Sequence, residues 1–177
     1  MAELMTGKRG LVMGVANERS IAWGIARALA AEGAELAFSY QGDAFGKRLQ
    51  PLAASVGSDF MVDVDVTDDG SLDACFAALK DRWGTMDFLI HAVAFSDKNE
   101  LTGRFINTSR GNFQNSLTIS CFSFIDVARR AADLMPTFSM IVPAMVSTLS
   151  FLRSKRSPSA ARRFTSCSSI CSSALAC

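Results

Sequence analysis

The segment from residue 10 to residue 24 constrains the fold of this chain more than any other. It begins with an apolar run, turns at Gly14 and reaches a helical pattern at Ile21. In a parallel α/β protein this order points backbone N–H groups at a pyrophosphate, whose negative charge the helix N-terminus favours. Six residues separate Gly14 from Ile21, so the spacing differs from G-x-G-x-x-G. A glycine turn of this kind is a weak signal until other residues support it.

Composition and charge exclude several classes of protein. The 177 residues suffice for one domain with a sizeable core, and the net charge of +1 gives no electrostatic case for nucleic acid or a membrane surface. Residues 1–9 hold no apolar signal region, and the longest apolar run, 140–152, is too short to span a bilayer. The five cysteines lack metal-site spacing, and we expect Cys75 and Cys121 to be core residues in a reducing cytosol. These features predict a cytoplasmic protein without a metal site.

The chain divides into two parts of unlike composition. From Thr137 onwards there is no Asp, Glu or Gly, while eleven serines and three of the five cysteines lie there. Turns of an α/β domain need Gly, Asp and Asn, so such a stretch does not fit inside one. We therefore predict a dinucleotide-binding domain over residues 1–136, with a boundary at Met135–Pro136. Residues 137–177 are predicted to be a Ser- and Arg-rich tail, mostly disordered beyond about Leu152.

Before that boundary, strand and helix patterns alternate regularly. Strands are predicted over 10–14, 35–40, 59–66 and 87–92, with 139–142 as a candidate fifth. Helices are predicted over 20–32, 44–56, 69–83 and 115–135, with Pro51 kinking or interrupting the second and a polar loop over 95–111. This alternation predicts an α/β fold, a doubly wound parallel sheet of Rossmann-like type that is truncated on its C-terminal side. Ligands bind such sheets at the carboxyl ends of the strands.

Polar residues follow the second and third predicted strands. Gln41 stands where an acidic residue would bind the ribose hydroxyls of NAD and an arginine would accommodate the NADP phosphate. With no cation beside it, Gln41 favours NADH over NADPH, unless it is only a polar turn residue. Asp65 is placed to accept the adenine amino hydrogens, and the alternative is that it caps the next helix.

The only histidine, His91, ends the fourth predicted strand. It is a candidate general acid. Its apolar strand favours the alternative, a structural histidine whose ring is satisfied by a buried partner.

These residues together resemble the NADH-dependent enoyl-acyl-carrier-protein reductases of bacterial fatty-acid synthesis, a divergent branch of the short-chain dehydrogenase/reductase superfamily. The resemblance covers residues 5–136. The matching segments are 14–24 with Ser20, Ile21 and Gly24, 40–41, 63–66, 87–91, 116–124 and 126–136.

The resemblance implies an enzyme that transfers a hydride from NADH to a trans-2-enoyl thioester carried on acyl carrier protein, and a homotetramer. The implied cofactor-binding residues are Gly14, Ser20, Ile21, Gln41, Asp65, Val66 and Val93. The implied substrate-binding residue is Ser96. Ala94 stands where the family usually has glycine, and its methyl group is expected to crowd the nicotinamide ribose slightly.

The family pattern stops at Pro136. There the family continues with a fifth strand, a tyrosine, and a second tyrosine followed seven residues later by a lysine, whereas the only tyrosine of this chain is Tyr40. The resemblance therefore implies no catalytic residue here, and we expect the chain as written to be inactive. Segment 137–177 looks like a coding sequence read out of frame. A deletion or a sequencing error would produce the same amino-acid sequence. The alternatives are a noncatalytic nucleotide-binding fragment, with or without an acidic partner for its basic tail, and a short-chain dehydrogenase/reductase of other specificity.

Overall fold

The computed structural model describes residues 4–135 and 140–143, which form a five-stranded parallel sheet with helices. The strand order is β3-β2-β1-β4-β5. The strands are β1 (Arg9–Met13), β2 (Glu35–Tyr40), β3 (Phe60–Asp63), β4 (Phe88–His91) and β5 (Met140–Pro143). All four pairings are parallel. The predicted α/β doubly wound fold is thus confirmed, and the order reverses beside β1, where such sheets open a crevice for ligands.

Helices connect the strands. They are α1 (Ile21–Ala31), α2 (Gly42–Ser55), α3 (Asp69–Trp83), α4 (Arg110–Leu117) and α5 (Ser123–Ala132), with a π-helical turn over Thr118–Phe122 and 3₁₀ turns over Lys98–Glu100 and Phe105–Asn107. The predicted bounds of β2 and α3 agree with the structure. The third strand is shorter than predicted, because the chain turns after Asp63.

Of the two effects predicted for Pro51, a kink or an interruption, the interruption is wrong, since the second helix runs on through the proline. Proline removes one i→i−4 hydrogen bond, here toward the carbonyl of Lys47. Leu49 and Ala53, one on each side of Pro51, are both fully buried in one cluster with β1 and β2. Burial on both sides of the proline therefore keeps the two halves of α2 in one helix.

The last helical segment differs most from the prediction of a single helix over 115–135. It begins at Arg110, where the Ser109 side chain accepts a hydrogen bond from the backbone N–H of Asn112. The π-helical turn divides it, and it ends at Ala132. The predicted polar loop is correspondingly shorter and contains the two 3₁₀ turns.

Two apolar clusters cover the two faces of the sheet. Leu11 and Leu89 belong to the cluster that includes residues of α3 and α5, while Val12 and Ile90 belong to the one that includes residues of α1 and α2. Successive residues of a strand point to opposite faces, so continuous apolar runs in β1 and β4 are what a doubly covered sheet requires. The two clusters thereby cover both faces of the sheet.

The predicted fifth strand is present as β5, which pairs with β4 beyond the expected boundary at Pro136. The rest of the predicted tail lies outside the described residues. Within the described part of the chain, no helix has the length and apolar character needed to cross a membrane. The same residues contain no cluster of His, Cys, Asp or Glu suited to a metal ion.

Candidate functional site

Gly14 follows β1 and contacts the end of β4. Its φ is 93°, in the left-handed region that favours glycine. A Cβ at this position would lie 2.2 Å from the carbonyl oxygen of Ala92, closer than any side chain tolerates. The turn after β1 can therefore leave the sheet only because residue 14 has no side chain.

The turn then leads into the N-terminus of α1. Ser20 is the last extended residue before the helix, and its hydroxyl donates to the carbonyl of Asn17 at 2.7 Å instead of capping the helix. The first turn of α1 holds no acidic residue. Ile21, the first helical residue, is 53% exposed. This helix end thus combines the positive end of the helix dipole with an apolar side chain facing solvent.

Gln41 and Asp65 lie together at the ends of β2 and β3. The Gln41 side chain lies near the Asp65 carboxylate and contributes to lowering its pKa. Asp65 Oδ1 accepts from the Thr67 hydroxyl at 2.7 Å and from the Thr67 backbone N–H at 2.8 Å. The two bonds from Thr67 hold the pKa of Asp65 below its ordinary value, against the raising effect of burial and with a smaller contribution from Gln41. Asp65 is therefore a carboxylate at neutral pH, in a fixed orientation.

Asp65 is not the cap of α3. That position belongs to Asp68, whose side chain accepts from the backbone N–H groups of Gly70 and Ser71. The backbone N–H of Asp65 instead donates to the Ser71 hydroxyl oxygen at 3.0 Å. The alternative of Asp65 as a helix cap is wrong, because the chain makes a further turn before the helix begins. Val66, next to it, is half-buried beside the apolar cluster of α3.

Val93 and Ser96 follow β4 on the other side of β1. Val93 is half-buried against the cluster of α3 and α5. The hydroxyl oxygen of Ser96 accepts from the side-chain amide of Asn112 at 3.3 Å. Ala94, between them, is exposed. This loop, defined here as residues 93–97, is the strand-four loop.

His91 is buried and faces α5. Its Nε2 lies 2.8 Å from the hydroxyl oxygen of Ser123, which donates its own hydrogen to the carbonyl of Ile119 at 2.6 Å. The one hydroxyl hydrogen is thus used, so Nε2 of His91 is the donor in their contact. Burial lowers the pKa of His91 to about 4. The ring is neutral, satisfied and only 2% exposed, which is the environment of a structural histidine and not of a general acid.

Comparison with known proteins gives one consistent family. The family model described as enoyl-(acyl carrier protein) reductase matches residues 14–161. The chain belongs to this family. The match extends past Pro136, further along the chain than the resemblance read from the residues.

Three relatives illustrate the similarity. The chain is 62% identical over 135 residues to enoyl-[acyl-carrier-protein] reductase [NADH] 2 of Rhizobium meliloti, covering 76% of this chain and 50% of the relative. The crystal structure of the Anaplasma phagocytophilum reductase in complex with NAD has a TM-score of 0.76 and 50% identity, covering 80% of this chain and 54% of that one. The Bacillus cereus reductase with NADP⁺ and an indole naphthyridinone has a TM-score of 0.72 and 42% identity, covering 75% and 52%. The chain thus spans about half the length of these relatives.

In this member of the enoyl-(acyl carrier protein) reductase family, the predicted residues lie along one open edge of the sheet. Gly14 and Ser20 lie beside β1, with Gln41 and Asp65 to one side and Val93 to the other. Two surface hollows, one along α2 between Tyr40 and Asp59 and one between Asn17 and Arg48, are lined by none of the predicted residues.

Reasoning from the sequence missed Asn112 and Ser120. Both lie on the helical segment after the loop and hydrogen-bond the strand-four loop. Their partners are 15 to 25 residues away in the sequence, so no local spacing signalled the contacts.

Proposed function

We propose that this chain binds NADH along the carboxyl edge of its sheet, as the nucleotide-binding part of an enoyl-acyl-carrier-protein reductase of fatty-acid synthesis. The observation that carries the proposal is the Gly14 turn, which brings the N-terminus of α1 to the point where the strand order reverses. A pyrophosphate bound there would meet backbone N–H groups of α1 and the exposed Ile21. Ser20 is placed at the same helix end.

The adenosine half of the cofactor is proposed to lie over β2 and β3. Gln41 would meet the ribose, Asp65 would accept the adenine amino hydrogens, and Val66 would contact the ring. The Asp65 carboxylate lies beside the neutral Gln41, so a 2′-phosphate at this position would meet a negative charge. The proposal therefore specifies NADH, although the Bacillus cereus relative was crystallised with NADP⁺.

The nicotinamide half is proposed to lie over the strand-four loop, with Val93 against the cofactor and Ser96 against the acyl substrate. The bound NADH would supply the hydride for the β-carbon of a trans-2-enoyl thioester, presented on acyl carrier protein. The charge that develops on the thioester oxygen needs a hydrogen-bond donor. The only tyrosine, Tyr40, ends β2 and packs in the cluster of α1 and α2, so we propose no catalytic residue from this chain and expect nucleotide binding without turnover.

Self-association is part of the proposal. Phe113, Leu117, Phe122 and Ile125 all lie on the segment from α4 to α5, and each is between 45% and 52% exposed. An apolar surface of this kind is typical of an interface. We propose that it supports the homotetramer implied by the family, in a cytoplasmic protein.

Titration of the chain with nucleotides tests the function. We expect saturable binding of NADH, weaker binding of NADPH, and competition by ADP, which carries only the adenosine half. Intrinsic fluorescence of Trp23 and Trp83 or calorimetry would follow the binding. Absence of NADH binding by folded protein would overturn the proposal, and tighter NADPH binding would overturn the cofactor choice. Binding without turnover is the outcome expected for this chain.

A further inference from the structure

Two side chains of the helical segment hold the backbone of the strand-four loop. They are Ser120 in the π-helical turn and Asn112 in α4. Both contact the loop at backbone atoms, on either side of Ser96.

Ser120 binds Phe95 at two points. Its hydroxyl oxygen accepts from the backbone N–H of Phe95 at 3.1 Å, and the same hydroxyl donates to the Phe95 carbonyl at 3.4 Å. The Ser120 residue is 6% exposed. The loop has left the sheet at this point, so Phe95 makes these bonds in place of a strand partner. π-Helical turns are rare and occur often at functional sites, because they redirect side chains that an α-helix would place elsewhere.

Asn112 binds the loop one residue beyond Ser96. Its Oδ1 accepts from the backbone N–H of Asp97 at 3.0 Å, while its NH₂ donates to the Ser96 hydroxyl and to Glu100 Oε2, each at 3.3 Å. Glu100 accepts in turn from the N–H and hydroxyl of Ser109 at the start of α4. The residues before and after Ser96, Phe95 and Asp97, thus each have their backbone N–H held by a side chain of the helical segment.

We propose that Ser120 and Asn112 are positioning residues, which set the strand-four loop for the nicotinamide and acyl end of the site. This inference rests on the proposed function. Neither residue needs to touch NADH, since each acts through the backbone of Phe95 or Asp97. The adenosine half over Gln41 and Asp65 lies on the other side of β1 and does not depend on them. The proposal therefore requires an effect on NADH that ADP does not share.

The experiment compares Ser120→Ala and Asn112→Ala with the unsubstituted 177-residue chain. Amide hydrogen exchange of residues 94–98 measures the protection of the loop backbone. Titration with NADH and with ADP compares the affinity for the whole cofactor with that for its adenosine half. We expect faster exchange in this segment and about fivefold to tenfold weaker NADH binding, with ADP binding unchanged. Ser120→Thr keeps the hydroxyl and should restore both values toward those of the unsubstituted chain.

Thr118→Ala is the matched control. Thr118 lies in the same π-helical turn, but its exposed hydroxyl donates only to the carbonyl of Gln114, so its removal should alter neither the loop nor the NADH-to-ADP ratio. Equal loss of NADH and ADP binding in Ser120→Ala and Asn112→Ala would indicate a general structural role and overturn the proposal. Unchanged exchange at 94–98 would also overturn it. Failure of the proposed function shows separately, as absent NADH binding by the unsubstituted chain, and it removes this inference as well.

Discussion

The carbonyl oxygen of Ala92 lies 2.2 Å from the point where a Cβ on Gly14 would stand. The two residues directly follow the neighbouring strands β1 and β4, so this close approach brings the turn before α1 against the strand-four loop. Residue 14 requires glycine for two reasons, because its φ is positive and because there is no space for a Cβ. The close packing of this turn against the strand-four loop depends on the absence of a side chain at residue 14.

Gly14→Ala should therefore destabilise the fold by about 3 kcal/mol or more, from backbone strain and overpacking. Chemical denaturation measures the free energy of unfolding. Gly24→Ala is the matched control, because Gly24 lies in α1 with open space around its Cβ position. It should stabilise the helix by about 0.5–1 kcal/mol. A neutral Gly14→Ala would contradict the packing described at this turn.

Asp65→Asn should weaken NADH binding by ~1–3 kcal/mol, the range for leaving a buried polar partner unpaired. The amide keeps an oxygen for the two Thr67 bonds but places an NH₂ donor toward the adenine amino group. Stability should change little. Calorimetric titration and urea unfolding would be measured on the same samples.

Asp68→Ala is expected to have the opposite effects to Asp65→Asn on stability and on nucleotide binding. Asp68 caps α3, so its removal should cost about 1 kcal/mol of stability and leave nucleotide affinity per folded molecule unchanged. If Asp65→Asn and Asp68→Ala both lowered stability and neither changed nucleotide affinity, Asp65 would have no role in binding.

Gln41→Arg should move cofactor preference toward NADPH. A guanidinium at this position would supply the cation that a 2′-phosphate needs, although Asp65 beside it would offset part of the gain. The ratio of the two dissociation constants is the measurement. A ratio unchanged by the substitution would place the ribose elsewhere.

Stability should fall as pH drops from 6.5 toward 4 because of His91. Its pKa is about 4 in the folded chain and 6.5 as its ordinary value, since burial disfavours the charged ring. Between these pH values the unfolded chain binds more protons than the folded chain. The free energy of unfolding therefore falls by up to about 1.4 kcal/mol for each unit by which the pH is lowered. His91→Gln keeps an N–H donor for Ser123 but does not titrate. In urea unfolding it should lose less stability than the unsubstituted chain between pH 7 and pH 5; equal losses would show that His91 is not the titrating group.

The 177-residue chain should show no NADH oxidation with crotonyl thioester, and we expect it to be prone to aggregation. Loss of one donor to the developing oxyanion commonly costs ~3–4 kcal/mol in the barrier, and Tyr40 ends a strand on the adenosine side. A chimera carrying an in-frame family segment with the tyrosine and lysine after Met135 should recover solubility and turnover together. Turnover by the unmodified chain at rates typical of enzymes would contradict this prediction.

The fold could be predicted from sequence where burial leaves a periodic pattern. Continuous apolar runs marked β1 and β4, glycine marked the turn after β1, and the acidic start of α3 marked its first residue. The ends of parallel strands meet at one edge, so Gln41 and Asp65 could be predicted to lie near each other, whereas Val93 was implied only by the family resemblance. The π-helical turn was missed, and the interruption considered at Pro51 does not occur, because tertiary packing overrides local preference there.

The sequence by itself determined the order of strands and helices, the glycine turn and which residues end the strands, since these depend on neighbours in the chain. Only the tertiary structure decided what each polar side chain does. Asp65 accepts from Thr67 while Asp68 caps the helix, and His91 is satisfied by Ser123, 32 residues away. Ser120 reaches back 25 residues to Phe95. Hydrogen bonds are short and directional, so partners remote in sequence are chosen by packing and leave no periodic trace.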